Sequence, residues 1–186
     1  MGKKFFVRAI VIETVLLLAG KFLRREININ TYIKQIARSA LIAALYTALT
    51  VALAPISYGP VQFRVSEALT LLPFYLPEAV PGLTIGCVLA NFFGGFGLTD
   101  MFFGSLATLL AAFLTMKSKN IFIAAFWPVA FNALIIGTML HVLIEVPLIA
   151  TGLYVGLGEA GACYLVGVPL MKILEKRNII LKTSRN

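Results

Sequence analysis

The sequence has little charge and very few histidine or cysteine residues for a chain of 186 residues. Charged residues make up 13% and hydrophobic residues 60% of the chain, whereas a soluble domain averages about 25% charged and ~45–50% apolar residues. A fold in water would leave apolar surface exposed, which excludes an ordinary soluble enzyme, a disordered chain and a nucleic-acid-binding module. The composition therefore indicates an integral membrane protein with one domain.

Motifs for catalysis and for tight metal binding are also missing. The single histidine, His141, cannot build a metal site alone, and Cys87 and Cys163 both lie in apolar stretches where a free thiol packs as a small hydrophobe. The chain has no glycine-rich phosphate loop of the Gly-x-x-x-x-Gly-Lys type, and no convincing Ser-His-Asp set. The sequence predicts no enzyme, no catalytic residue, no metal and no cofactor.

The charges that are present are sorted by sign along the chain. Of the 16 Lys and Arg residues, eight lie at or before Arg38 and five at or after Lys172. Acidic residues instead occur within the apolar stretch, at Glu67, Glu78, Asp100, Glu145 and Glu159. Because Lys and Arg accumulate on the cytoplasmic flanks of membrane spans, the basic excess marks membrane topology rather than a nucleic-acid surface.

The apolar stretch divides into six predicted spans. A membrane helix needs ~20 mostly apolar residues, and prolines and charges end them. The predicted helices run from Ile36 to Ala54, Arg64 to Leu76, Val80 to Phe96, Leu98 to Met116, Asn120 to Val142 and Tyr154 to Leu174. With both termini cytoplasmic, all basic residues except Arg64, 15 of 16, lie on the inner side. The predicted fold is an all-α membrane bundle of six transmembrane helices.

Three regions are predicted. Residues 1–30 form a basic and apolar N-terminal extension, which we interpret as a helix lying on the cytoplasmic membrane surface; an uncleaved signal-like stretch or a further span are the alternatives. Residues 31–175 form the six-helix transmembrane domain that would bind substrate. Residues 176–186 form a cytoplasmic basic tail.

Polar residues within the spans point to a cavity that opens outward. Four of the five acids in the apolar stretch lie in its outer half, and an ionised group in hydrocarbon costs ~2.5–3.5 kcal/mol. Several such groups at one depth therefore favour a shared polar cavity. The candidate binding residues are Phe63, Arg64, Glu67, Asn91, Phe92, Asn132, Glu145 and Glu159. The alternative is a network that only holds helices together, with Asp100 and Glu145 in solvent.

Carboxylates beside aromatic rings suit a planar ligand with N–H donors, or a cation. A guanine-like edge presents paired N–H donors, and one carboxylate can accept both. An amine attached to such a ring would need a second carboxylate.

A ridge of small residues follows one face of the first helix at four-residue spacing, namely Ala40, Ala44, Ala48 and Ala52. Small ridges let helices approach closely in lipid. The ridge fits either a protein partner or internal packing against the glycine-rich sixth helix.

The residues from about Ala37 to Leu174 resemble the QueT group of substrate-binding subunits, or S-components, of energy-coupling factor (ECF) transporters. The resemblance rests on long runs: Ala40–Tyr46, Ala54–Gly59, Val61–Leu69, Pro81–Asn91 and Gly104–Ala112. It implies a six-helix S-component in the plasma membrane that takes up a queuosine precursor, a deazaguanine such as queuine or its aminomethyl precursor.

The resemblance also implies partners and roles. The partners are a transmembrane coupling subunit, which Ala40, Ala44 and Ala48 would contact, and two cytoplasmic ATPases. The external connection would act as a gate, with Ser57, Tyr58, Gly59, Pro60 and Gln62. An S-component for another vitamin, a solitary transporter, or a membrane-embedded assembly protein without a ligand are the alternatives.

Overall fold

The computed structural model describes residues 31–58, 63–94 and 97–180. Its elements in chain order are α1 (Thr31–Ala52), α2 (Ala54–Ser57), a 3-10 helix (Val65–Phe74), α3 (Ala79–Phe92), α4 (Gly97–Lys117), α5 (Ile121–Ile144) and α6 (Leu148–Lys176). α5 and α6 each contain a π-helical stretch, at Asn132–Ile136 and Gly161–Gly167. These ranges contain no β-strand, which confirms the all-α prediction.

Among the described residues, four helices are long and apolar enough to cross a membrane, namely α1, α4, α5 and α6. The 3-10 helix has 10 residues and rises about 20 Å; α3 has 14 residues and rises about 21 Å. Both are shorter than the hydrocarbon core of a bilayer, which is about 30 Å thick. Six helical segments therefore lie close to the predicted positions, but six complete spans and the cytoplasmic termini stay predictions.

Two helix starts differ from the sequence prediction. α1 begins at Thr31, five residues before the predicted Ile36, and α6 begins at Leu148 rather than Tyr154. α6 starts directly after Pro147 because the proline ring suits a helix entry and has no N–H to leave unpaired. The Thr151 N–H donates to the Pro147 carbonyl at 3.0 Å and closes the first turn, and the Thr151 hydroxyl donates to the same carbonyl at 2.8 Å.

The 3-10 helix lies at the centre of the bundle. Every residue from Ser66 to Phe74 is buried, and the segment contacts α1, α3, α4, α5 and α6. Because 3-10 geometry is rarely stable beyond one turn alone, packing on five neighbours maintains it. This packing holds Glu67 in the interior of the protein.

Close contact between α1 and α3 leaves the alanine ridge free. A Cβ atom added at Gly86 would lie 2.9 Å from the Ala43 carbonyl oxygen, and one at Gly82 would lie 2.6 Å from the Ser39 carbonyl oxygen. α3 therefore packs on the face of α1 that carries Ala43. The ridge residues Ala40, Ala44 and Ala48 are exposed.

The predicted regions are only partly covered. Residues 1–30 and 181–186 lie outside the described residues, so the surface helix predicted for the extension and most of the tail stay predictions. The described part ends with α6 and the turn after it. In the last turn of α6, Glu175 Oε2 accepts a hydrogen bond from the Tyr75 hydroxyl at 3.0 Å.

Candidate binding site

Glu67 is held in place on one side and free on the other. Its side chain is 1% exposed. The Tyr46 hydroxyl of α1 donates to Oε1, while Oε2 has no hydrogen-bond partner among the described residues. A buried carboxyl oxygen without a donor is costly, so Oε2 is a position where a ligand donor or water would bind.

Glu159 of α6 lies beside Glu67 and is 3% exposed. The Cys163 thiol, one turn further along α6, lies 3.9 Å from Glu159 Oε2 and 3.6 Å from the Glu67 backbone oxygen. Cys163 thus contacts both the Glu159 side chain and the Glu67 backbone. The structure thus brings together two acids from different helices that the sequence placed at one depth.

Arg64 forms a buried ion pair with Asp100 of α4, with 3.5 Å between Nη2 and Oδ2. Its Nε donates to the Ser57 carbonyl at 3.4 Å, and its guanidinium lies 5.3 Å from the centre of the Tyr58 ring. Arg64 therefore links the end of α2, the start of the 3-10 helix and the first turn of α4.

Asn91 lies next to this ion pair at the end of α3. Its Nδ2 donates to the Asp100 backbone oxygen at 3.0 Å and to Cys87 Sγ at 3.4 Å. Its Oδ1 has no partner among the described residues, and the same holds for Ser57 Oγ. A Cβ atom at Gly104 would collide with the Asn91 amide, so only glycine leaves room for Asn91 there.

Phe63 places an aromatic ring against α6 at Gly161. A Cβ atom at Gly161 would lie 2.7 Å from Phe63 Cε2, so the ring rests on the backbone two residues after Glu159. Phe63 is half-buried. Phe63 therefore packs on the segment of α6 that carries Glu159.

Three predicted residues form no hydrogen bond or ion pair with these groups in the part of the chain that the structure describes. Phe92 is 66% exposed and packs edge-on against Phe93. Glu145 is exposed and takes a left-handed backbone conformation, with φ 53°, where α5 ends. Asn132 is buried at the π-helical stretch of α5, and its Nδ2 donates to the Pro128 carbonyl at 3.1 Å.

Two residues of the buried polar group were absent from the predicted site. Asp100 is 2% exposed, although its place after a run of glycines had allowed it to be solvated. Tyr46 is fully buried and is the donor to Glu67. The sequence feature that could have indicated this role of Tyr46 is a polar stripe on α1. Thr50 lies one turn after Tyr46, and its hydroxyl hydrogen-bonds Ser66 of the 3-10 helix at 2.6 Å.

The predicted gate and coupling residues are partly described. Ser57 is buried at the end of α2, and the Tyr58 hydroxyl donates to the Ala90 carbonyl at 2.5 Å. Gly59, Pro60 and Gln62 lie outside the described residues.

Comparison with known proteins assigns the family. A family model described as "QueT transporter" matches residues 36–176. The chain belongs to the QueT transporter family. A curated relative, "Queuosine precursor transporter QueT" of Lactococcus lactis subsp. cremoris (strain MG1363), is 45% identical over 73 residues, 38% of this chain and 43% of the relative. The match thus spans less than half of that relative, and no solved structure matches the chain.

Membership in the QueT family explains the general character of the chain. The family is one of transporters and not of enzymes, and several apolar helices are long enough to cross a bilayer. This QueT-family chain is therefore a multi-pass protein of the plasma membrane. The buried acids lie within the matched residues 36–176.

Replacing Asp100 by Asn should destabilise the protein, because Arg64 would keep a buried charge without its partner. We expect a loss of about 3–5 kcal/mol in the free energy of unfolding. Denaturant unfolding of the purified protein in detergent measures it. The double variant Arg64→Gln, Asp100→Asn should regain much of that loss, whereas additive losses for the two single variants would show that the pair is not coupled.

Proposed function

We propose that this QueT-family chain is the substrate-binding subunit of an ECF-type ABC importer and captures a queuosine precursor from outside the cell. The relative's name supplies the substrate class. The observation that carries the proposal is the buried Glu67 Oε2, which has no partner among the described residues, with Glu159 linked to the Glu67 backbone through Cys163.

The chemistry of a deazaguanine fits this pair of carboxyl groups. A guanine-like edge presents neighbouring N–H donors, which a carboxylate accepts in a charge-assisted hydrogen bond. Tyr46 orients Glu67 through Oε1, so Oε2 is free for a ring N–H. Asn91 Oδ1 offers a further unpaired acceptor, and Phe63 offers an aromatic face for the ring.

The distribution of basic residues supports an outward opening. Asp100, the partner of Arg64, lies in the first turn of α4, and Lys117 lies in its last turn. The buried ion pair and the basic residue therefore lie at opposite ends of this helix. Arg38 pairs with Glu78 at 2.8 Å, before the start of α3, whereas Asn91 lies at its end. By the positive-inside rule, the ends that carry Lys117 and Arg38 face the cytoplasm. The buried polar residues at the opposite ends would then face the extracellular side, in a bundle of six spans with cytoplasmic termini.

The exposed alanine ridge is the surface we assign to the coupling subunit. A groove of about 760 Å³ lies between α1 and α3 and is lined by Ala40 and Ala44, with Glu78 at one end. Ala48 continues the ridge and is also exposed. Small side chains allow a partner helix to approach closely in lipid, and two cytoplasmic ATPases would drive transport by toppling the loaded subunit in the membrane.

Substitution of Glu67 by Gln should weaken binding, because it replaces a charged acceptor with a neutral one of the same shape. We expect the Kd for queuine to rise roughly 10- to 100-fold. Calorimetric titration of the purified protein measures it, and Glu145→Gln, which changes an exposed glutamate, is the matched control. An unchanged Kd would remove Glu67 from the site, and tighter binding of another vitamin by the wild type would favour an S-component of different specificity.

Substitution of Ala44 by Leu should block coupling but not capture. The larger side chain fills the groove, so co-purification with the coupling subunit and queuine uptake should fall about tenfold or more, while the Kd for queuine stays unchanged. Leu165→Trp, at a 77% exposed position of α6 outside the groove, is the control. Uptake by wild-type protein in liposomes without ATPases would indicate a solitary transporter instead.

A further inference from the structure

The buried charges near the proposed site do not balance. Among the described residues, the charged side chains classed as buried are Arg64, Glu67, Asp100 and Glu159. Residues 59–62 and 95–96, which flank this region in the chain, include no ionisable residue. Three carboxyl groups therefore share one guanidinium.

The guanidinium is already committed to one of the three acids. Arg64 pairs with Asp100 at 3.5 Å, and its remaining described contacts are the Ser57 carbonyl and the Tyr58 ring. An arginine held by a carboxylate, a carbonyl and an aromatic face is well satisfied. Among the residues that the structure describes, neither Glu67 nor Glu159 forms an ion pair with a cation.

The two remaining acids differ in how they are held. Glu67 receives the Tyr46 hydroxyl on Oε1, which orients the carboxyl plane for directional hydrogen bonds. Glu159 is contacted by the Cys163 thiol at 3.9 Å, and a thiol is a weak donor. Of the two acids, Glu159 therefore has the weaker hydrogen-bond donor, and burying a carboxylate without a strong partner is unfavourable.

We infer that Glu159 is the counter-ion for a protonated amine on the ligand, while Glu67 binds the N–H edge of the ring. The inference rests on the proposed function and narrows it, because it predicts selection of amine-bearing deazaguanines over neutral ones. Cys163 contacts both Glu159 and the Glu67 backbone, so the amine and the ring edge would meet neighbouring carboxyl groups.

Two ligands that share the same ring but differ in charge distinguish recognition of the amine from recognition of the ring. The aminomethyl-deazaguanine carries a cation, and the corresponding nitrile carries none. Calorimetric titration of wild-type protein should give a Kd that is lower for the amine by roughly 10- to 100-fold, the range for a hydrogen bond to a charged group. This comparison needs no variant, so it stands even if a substitution prevents folding.

Two conservative variants then test the separate roles. Glu159→Gln should remove most of the preference, raising the Kd of the amine while changing that of the nitrile little. Glu67→Gln should raise the Kd of both compounds and leave the ratio of the two Kd values near that of the wild type. A merely structural role for either residue would not produce this difference between the two variants.

The outcomes distinguish the inference from the proposed function. Equal wild-type affinity for the two compounds, or a Glu159→Gln variant that keeps the full preference, would overturn the inference while the proposed function stands. Failure of the wild type to bind either compound would overturn both.

Discussion

A carboxylate cannot remain ionised alone in hydrocarbon, and this constraint organises the centre of the protein. Insertion of one such group costs ~2.5–3.5 kcal/mol, yet Glu67, Asp100 and Glu159 are all buried. They come from the 3-10 helix, α4 and α6. Asp100 is paired with Arg64, Glu67 accepts the Tyr46 hydroxyl, and Glu159 is contacted by the Cys163 thiol. The buried 3-10 helix positions Glu67 in the interior of the bundle.

The same arrangement separates two tasks on one scaffold. The polar group lies inside the bundle, where Tyr46 reaches Glu67 from α1. The opposite face of α1 presents Ala40, Ala44 and Ala48 outward, because α3 packs closely through glycines on the face that carries Ala43. In our proposal, α1 therefore contributes to ligand capture through one face and to coupling through another.

Sequence patterns predicted the all-α architecture and the meeting of Glu67 with Glu159, since charges in apolar segments have few tolerable positions. They could not decide between Asp100 and Glu145, because both follow segments compatible with solvent. Asp100 is buried by an ion pair that only tertiary packing creates, whereas Glu145 is exposed. The 3-10 geometry was equally hidden, because residues 65–74 are apolar throughout most of their length and show no period that distinguishes it.

A crystal structure of the protein with the aminomethyl-deazaguanine bound tests the central claim most directly. The account predicts the ring within hydrogen-bond distance of Glu67 Oε2 and the amine beside the Glu159 carboxyl group. A pocket of about 410 Å³ between α4 and α5 is lined almost entirely by apolar side chains, including Phe103, Leu134 and Met139. A ligand bound there, with Glu67 and Glu159 untouched, would contradict the account.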